Sequence, residues 1–273
     1  MNTKTAEILI LGLGWQGQYV KSLFESKGLS VVATSTSGKP DTIPFKFDPI
    51  TSDLDMYSQL PDTKTILITF PLPTLDSPRI FQQLYHSTHS NSTPNIILLG
   101  STRPWSASLK SAVDSDITWY DRHSPVVNDN RYDIESELLK LNGAVLNLAG
   151  LWGNTRHPSN WISRVASTKV SLASKGSLHL IHGIDVARVV LALHERFTPG
   201  ERWIVTDGRI YDWFEIALGY STNETAQWVQ ELMEENKLRA LPRPFKLLGR
   251  VLDSKELWHQ IRMMPSQSLY NPQ

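Results

Sequence analysis

The 273-residue chain contains no cysteine. That excludes disulfides, thiolate nucleophiles and cysteine metal sites, and it fits a reducing compartment without requiring one. Charge of either sign is not in excess, because Lys and Arg total 27 and Asp and Glu total 27. A general nucleic-acid or anionic-membrane binder carries a basic surplus, so neither partner is expected. No apolar stretch approaches the ~20 residues of a membrane-spanning helix. The N-terminus runs straight into a strand, with no basic n-region, apolar core or small-residue cleavage site. A G-x-S-x-G elbow is also missing, which removes the usual signature of an α/β-hydrolase. These absences leave a cytoplasmic enzyme or sensor acting on a small molecule as the expectation.

Apolar residues make up 40% of the chain and charged residues 20%, an ordinary globular balance. Strands are predicted at Ile8–Leu13, Leu29–Ala33, Phe45–Asp48, Thr65–Phe70, Asn95–Gly100 and Ala144–Ala149. Helices are predicted between them: around Val20, Leu23 and Phe24 with Gly28 as a stop, over Leu54–Leu60, around Ile80 to Tyr85, and around Ile134, Leu138 and Leu141. Strand and helix alternate, which implies an α/β fold with a parallel sheet covered on both faces. Residues 103–131 read as irregular, with Trp105, Trp119 and Tyr120 as packing anchors. After Gly150 the pattern loosens. A strand is expected at Leu178–Ile181 and another at Trp203–Thr206. Asp185 is expected to cap a helix with Val186, Val189, Val190, Leu193 and Phe197 on one face. Trp213–Leu218, Trp228–Met233 and Leu252–Met263 read as helices, and the basic, proline-interrupted Arg239–Gly249 as a solvated loop or a partner surface.

The most informative stretch is Gly12-Leu13-Gly14-Trp15-Gln16-Gly17, between the apolar run Ile8–Leu11 and a helical segment. In a strand–turn–helix setting this G-x-G-x-x-G spacing has mechanical meaning. The first glycine allows the tight turn, the second lets a pyrophosphate approach the backbone, and the third lets helix and strand pack closely. The helix N-terminus then faces the phosphate charge. Residues 1–150 therefore read as a Rossmann-type, doubly wound dinucleotide-binding domain. Residues 151–273 read as a smaller, mixed substrate or lid region packed against it.

An NAD-preferring site carries Asp or Glu at the end of the second strand, about 20 residues beyond the glycines. Here that position falls in Thr34-Ser35-Thr36-Ser37, with Lys39 close behind. Ser35 and Thr36 offer hydroxyls and Lys39 a charge to a 2′-phosphate, so NADP(H) is preferred and NAD(H) is the alternative; a plain polar turn would have the same composition. Thr69-Phe70-Pro71, at the end of the fourth strand, should border the cofactor crevice. Trp15 either walls the cofactor or packs under the second region. His179 and His182, three apart on a strand, point to opposite faces, so no metal site is expected there.

Taken together, the landmarks resemble the extended and atypical short-chain dehydrogenase/reductases, the NAD-dependent epimerase/dehydratase-like group. The resemblance rests on the glycine turn and on four further stretches: Ile97–Thr102, Leu146–Gly153 as the sixth strand and its turn, Ile181–Ala187 as an "I-H-x-x-D-V-A" segment, and Trp203–Gly208. It implies an oxidoreductase or epimerase/dehydratase-like activity on a carbonyl or hydroxyl compound, with dimerisation through helices. It casts Ser101, or Thr102, as the catalytic hydroxyl at the end of the fifth strand, the alternative being a cap on the next segment. Asp48 falls where the family contacts adenine, or else caps the turn at Pro49. Arg156 falls at the start of the substrate loop, and His182 beside the substrate crevice.

Two departures stand out. The glycine spacing is that of the wider dinucleotide-binding folds, not G-x-x-G-x-x-G. The Tyr-x-x-x-Lys pair is missing, because Tyr132, the candidate for its catalytic tyrosine or else a ring packed at a helix start, is followed by Ser136 where lysine belongs. Without an adjacent cation, a tyrosine near pKa ~10 is a poor base at neutral pH. A catalytically silent NAD(P)-binding sensor or scaffold is therefore the alternative function. A β-hydroxyacid-type dehydrogenase also uses a G-L-G turn, but it needs a long helical second domain where strands recur here.

Overall fold

The structure is a computed structural model describing residues 5–51, 53–105, 119–126, 129–220 and 223–270. In chain order the first stretch holds β1 (Thr5–Leu11), α1 (Trp15–Ser26), β2 (Val31–Ser35), β3 (Ile43–Pro44), α2 (Asp55–Ser58), β4 (Asp62–Ile68), α3 (Ser77–Thr88) and β5 (Asn95–Ser101). Next come β6 (Trp119–Tyr120), α4 (Asn130–Lys140), β7 (Ala144–Leu148), β8 (Gly150–Trp152), α5 (Ile162–Val165), α6 (Lys169–Ala173), β9 (Ser177–Leu178) and β10 (Leu180–His182). The chain continues with α7 (Gly183–Glu195), β11 (Arg202–Val205), β12 (Tyr211–Asp212), α8 (Trp213–Tyr220), α9 (Asn223–Glu235), β13 (Val251–Leu252) and α10 (Lys255–Gln260). Among the described residues no helix is long and apolar enough to cross a membrane.

The central sheet has seven strands in the order β11-β7-β5-β4-β1-β2-β3. The pairs β1–β2, β1–β4, β4–β5, β5–β7 and β2–β3 are all parallel. This is the Rossmann-type arrangement. Ile8, Leu9, Ile10 and Leu11 are completely buried, as expected of a central parallel strand covered on both faces. Leu9 and Leu11 join Ile66, Ile68, Phe81, Leu98, Ile134 and Leu138 in one apolar cluster. Burial of each such side chain stabilises the fold by ~1.5–3 kcal/mol.

Two units make up the chain. The first comprises Met1–Pro104, Asn128–Leu148 and Gly183–Trp203, and the second comprises Trp105–Val127, Ala149–His182 and Ile204–Gln273. They therefore do not follow a single cut near residue 150. Helix α7 belongs to the first unit, where it packs along α1. Gly183 makes this possible, since a Cβ there would lie 2.5 Å from the Tyr19 ring. The Gln16 side-chain amide donates to the Gly183 carbonyl at 3.0 Å. Further along α7, His194 bonds the Thr65 hydroxyl at 2.9 Å and meets the Phe24 ring edge-on.

The second unit is built from small paired strands: β8 with β10, β9 with β12 and β6 with β13. Its core gathers Trp152, Ile162, Leu172, Leu180, Tyr211, Phe214, Val229 and Leu232. Arg243, from the basic segment, is buried rather than solvated. It forks onto both carboxylate oxygens of Asp212 and lies 3.5 Å from the Phe214 ring centroid.

Several expected elements are corrected. Phe45–Asp48 is not a strand, because only Ile43 and Pro44 pair with β2. Asp185 is not a cap: β10 runs straight into α7 at Gly183, and Asp185 sits in the first turn, paired with Arg188 at 2.6 Å. Leu178–Ile181 divides into β9 and β10, and Leu252–Met263 into β13 and the six-residue α10. Trp119 is half exposed rather than a buried anchor, whereas Trp105 is buried.

Candidate functional site

The glycine turn leaves the carboxyl end of β1, which lies between β4 and β2 in the sheet. Gly12 sits at φ +94°, a left-handed conformation that favours glycine. Its N–H donates to the Thr34 hydroxyl at 3.0 Å, and the Leu13 N–H donates to the Thr34 carbonyl at 2.7 Å. The Thr69 hydroxyl shares its proton between the carbonyls of Leu11 (3.0 Å) and Gly12 (2.7 Å). A Cβ on Gly12 would lie 2.6 Å from that hydroxyl oxygen and 3.3 Å from the Phe70 ring. The ends of β2 and β4 thus clamp the turn from either side. At Gly17 a Cβ would meet the Gly12 carbonyl at 3.0 Å and Ile10 at 3.2 Å, so the missing side chain lets α1 close onto β1.

Gly14 behaves differently. A Cβ there would have nothing within 4 Å. It is the N-cap of α1 and offers no side-chain cap. The first N–H groups of any α-helix lack partners inside the helix, and their dipole favours an anion. Open space over Gly14 and an uncapped twelve-residue helix make a cradle open to an anion.

Around this cradle the expected binding residues divide. Trp15, half-buried, packs edge-on against Tyr19 at 4.8 Å. Gln16 is buried, with its amide engaged on Gly183. The Ser35 hydroxyl accepts the Lys39 N–H and bonds the Thr42 hydroxyl, so it shapes the loop after β2. Thr36 and Lys39 are exposed on that loop. Asp48 accepts the Ile50 N–H at 2.9 Å and so caps the turn at Pro49. Pro71 is exposed beyond Thr69 and Phe70.

At the end of β5 the Ser101 hydroxyl accepts the Arg103 N–H at 3.2 Å. Thr102 is buried and its N–H donates to the Leu148 carbonyl. Tyr132 lies in the first turn of α4, its ring 3.8 Å from the Arg202 guanidinium carbon. The same guanidinium donates to the Ser136 hydroxyl at 3.0 Å, to the Tyr132 carbonyl at 3.2 Å and to the Glu135 carboxylate at 2.7 Å. Glu135 also accepts from the Asn147 amide at 2.7 Å and pairs with Arg131 at 3.4 Å. Burial raises the Glu135 carboxyl above its ordinary range, opposed by Asn147 and the two arginines. Gly100 admits this cluster, since a Cβ there would lie 2.4 Å from Glu135 and 2.5 Å from Asn147.

No protein-family model matches the sequence, and no curated protein matches it. Solved structures do match. Vestitone reductase from alfalfa (Medicago sativa) aligns at 16% identity and TM-score 0.64, covering 97% of this chain and 94% of that one. UDP-N-acetylglucosamine 4-epimerase from Bacillus cereus aligns at 14% identity and TM-score 0.64, with 96% and 95% covered. The chain has the fold of this reductase and this epimerase. RMD from Pseudomonas aeruginosa, solved with NADPH, shares it at 12% identity and TM-score 0.57, with 96% and 94% covered.

In the second unit of this epimerase-type fold, Arg156 is exposed on a tight turn closed by two backbone bonds with Gly153. His182 ends β10 with its ring edge-on to Trp152 at 4.7 Å. His157 and Tyr220 extend this ring cluster, their centroids 5.2 Å apart. A separate cavity of about 560 Å³ opens beside Asn95, Ile96 and Gly143. Those residues lie at the amino ends of β5 and β7, opposite the end that carries the glycine turn, so this cavity is not the cradle.

Two features escaped sequence reasoning. Thr34 braces the glycine turn, and its signal was register: Ile10 pairs with Ala33, which brings the next residue beside Gly12. The Glu135–Arg202 pair joins residues 67 apart, and its only signal was a carboxylate between Ile134 and Leu138 on the buried face of α4.

Proposed function

We propose that the chain binds NADP(H) in the glycine cradle and acts as an oxidoreductase or epimerase/dehydratase-like enzyme on a small carbonyl or hydroxyl compound. One observation carries this reading. The three glycines do three separate mechanical jobs, and only Gly14 fronts open space at an uncapped helix N-terminus. Gly12, Gly14 and Gly17, with the backbone at Trp15 and Gln16, would hold the pyrophosphate. Thr36 and Lys39 on the loop after β2, with no carboxylate among residues 34–40, favour a 2′-phosphate. Phe70 and Pro71 would border the dinucleotide. When bound, the nicotinamide supplies or accepts a hydride. Ser101 would hydrogen-bond the substrate oxygen, with Thr102 behind it, and Arg156 and His182 would contact the substrate.

A silent sensor is the second reading, favoured by Tyr132. Its ring lies against a guanidinium already paired with Glu135, and Ser136 stands in the lysine position. NADPH and NADH titrations followed by a carbonyl-substrate panel separate the two. NADPH binding with turnover supports the enzyme, NADPH binding without turnover supports the sensor, and no binding of either cofactor refutes both. Lys39→Ala should weaken NADPH about tenfold and leave NADH unchanged. The resemblance also implies a homodimer, and light scattering on the purified chain reads it.

A further inference from the structure

The second unit holds a cavity of its own, about 1070 Å³, with every lining residue drawn from that unit. Its size reaches the upper end of the ~300–1,000 Å³ typical of small-molecule sites. Large apolar side chains that normally avoid water concentrate here: Trp119 is 50% exposed and Met264 is 74% exposed. Trp258 lines the same space, its indole N–H donating to the Thr206 carbonyl at 2.9 Å. The cavity therefore offers aromatic and thioether surface to a ring.

Its charge is directional. Arg209, Lys255 and Arg262 all line it and are all exposed. Two carboxylates also line it, so three cations face two anions. Asp207 accepts from the Tyr211 hydroxyl and the Arg209 N–H, and Asp253 accepts from the Lys255 N–H. Arg262 adopts φ +54°, just after α10, where glycine is the favoured residue. An arginine held in that conformation keeps a cation at the rim at a backbone cost.

The walls are fixed in advance. His179 Nε2 accepts the Leu252 N–H at 3.2 Å, and its Nδ1 lies 3.2 Å from the Arg209 carbonyl. One buried imidazole thus joins the 207–210 loop to β13, the two segments that flank the cavity. Preorganised walls lower the ordering cost of binding.

From these observations we infer that the second unit carries a binding site for a flat, ring-bearing small molecule with a single anionic group, separate from the dinucleotide cradle. The ring packs among Trp119, Trp258 and Met264, and Arg262 and Lys255 meet the anion.

The test uses the full chain with and without saturating NADP⁺, which neither absorbs nor emits with the probe, so the second site is read whether or not the cradle takes a dinucleotide. The probe is 8-anilinonaphthalene-1-sulfonate, and its uncharged relative N-phenyl-1-naphthylamine is the control. One saturable site is expected, with energy transfer from tryptophan. Trp119→Ala and Arg262→Gly should each weaken it about tenfold or more, and the uncharged probe should bind at least about tenfold more weakly. Arg262→Gly suits the backbone, so the variant should keep the wild-type melting temperature. Unchanged sulfonate binding in both variants would overturn the site. Equal binding of the two probes would overturn its anion preference.

Discussion

His179 gives the sharpest stability prediction, because one buried ring bonds to both sides of it. Burial first, then repulsion from Arg250, lowers its pKa from 6.5 to about 4. In the folded chain the ring stays neutral down to about pH 4, whereas the unfolded chain takes up the proton from about pH 6.5 downward. The unfolded state thus binds more protons across that window. The stability is fully present above about pH 6.5 and declines as the pH falls toward about 4. At ~1.4 kcal/mol per unit the whole effect is about 3.5 kcal/mol, of which about 2.5 kcal/mol is lost between about pH 7 and pH 4.5. Urea unfolding of wild type and His179→Gln, followed by far-UV circular dichroism at both pH values, isolates this contribution. The variant should be less stable at neutral pH, having lost the Leu252 or Arg209 bond, but its decline into acid should be shallower by about 2.5 kcal/mol. His194, also shifted downward by burial, is present in both proteins and cancels in the comparison. Parallel pH profiles for the two proteins would refute the reasoning.

Three further outcomes follow from the first unit. Gly14→Ala meets no atom within 4 Å, so its melting temperature should match wild type while NADPH affinity falls about tenfold or more in a calorimetric titration. Gly12→Ala combines φ +94° with a 2.6 Å approach to Thr69, and should lower stability by about 1–3 kcal/mol in the same urea assay. Arg202→Leu leaves the buried Glu135 without its closest cation and should cost about 3–5 kcal/mol, with Glu135→Gln added in the same chain restoring part of the loss.

How legible these sites were depends on how local their causes are. β1 was readable because a strand buried on both faces is a continuous apolar run, and the glycines sit directly after it. Phe45-Lys46-Phe47 misled because Phe45 and Phe47 do pack into the core while only the Phe45 N–H reaches the sheet, at the Ser35 carbonyl. Alternation reports side-chain burial, and a strand needs hydrogen bonds as well. Asp185 misled because β10 passes into α7 with no intervening loop, so the helix begins earlier than its first acidic residue. Arg243 was hidden inside a basic, proline-rich string whose composition says loop, although its carboxylate partner Asp212 lies 31 residues upstream. Pairings across such spans leave no local pattern.

The membership of α7 has a consequence for synthesis. The strands from β1 to β7 all emerge before residue 149, yet the helix that packs along α1 begins at Gly183. During translation, at ~5–20 residues per second, that flank of the nascent sheet waits on the order of seconds for its cover. Val186, Val189, Val190 and Leu193 are the residues that arrive to shield it. A ribosome stalled near residue 150 would therefore display an incomplete sheet with an open apolar face, a natural substrate for chaperones.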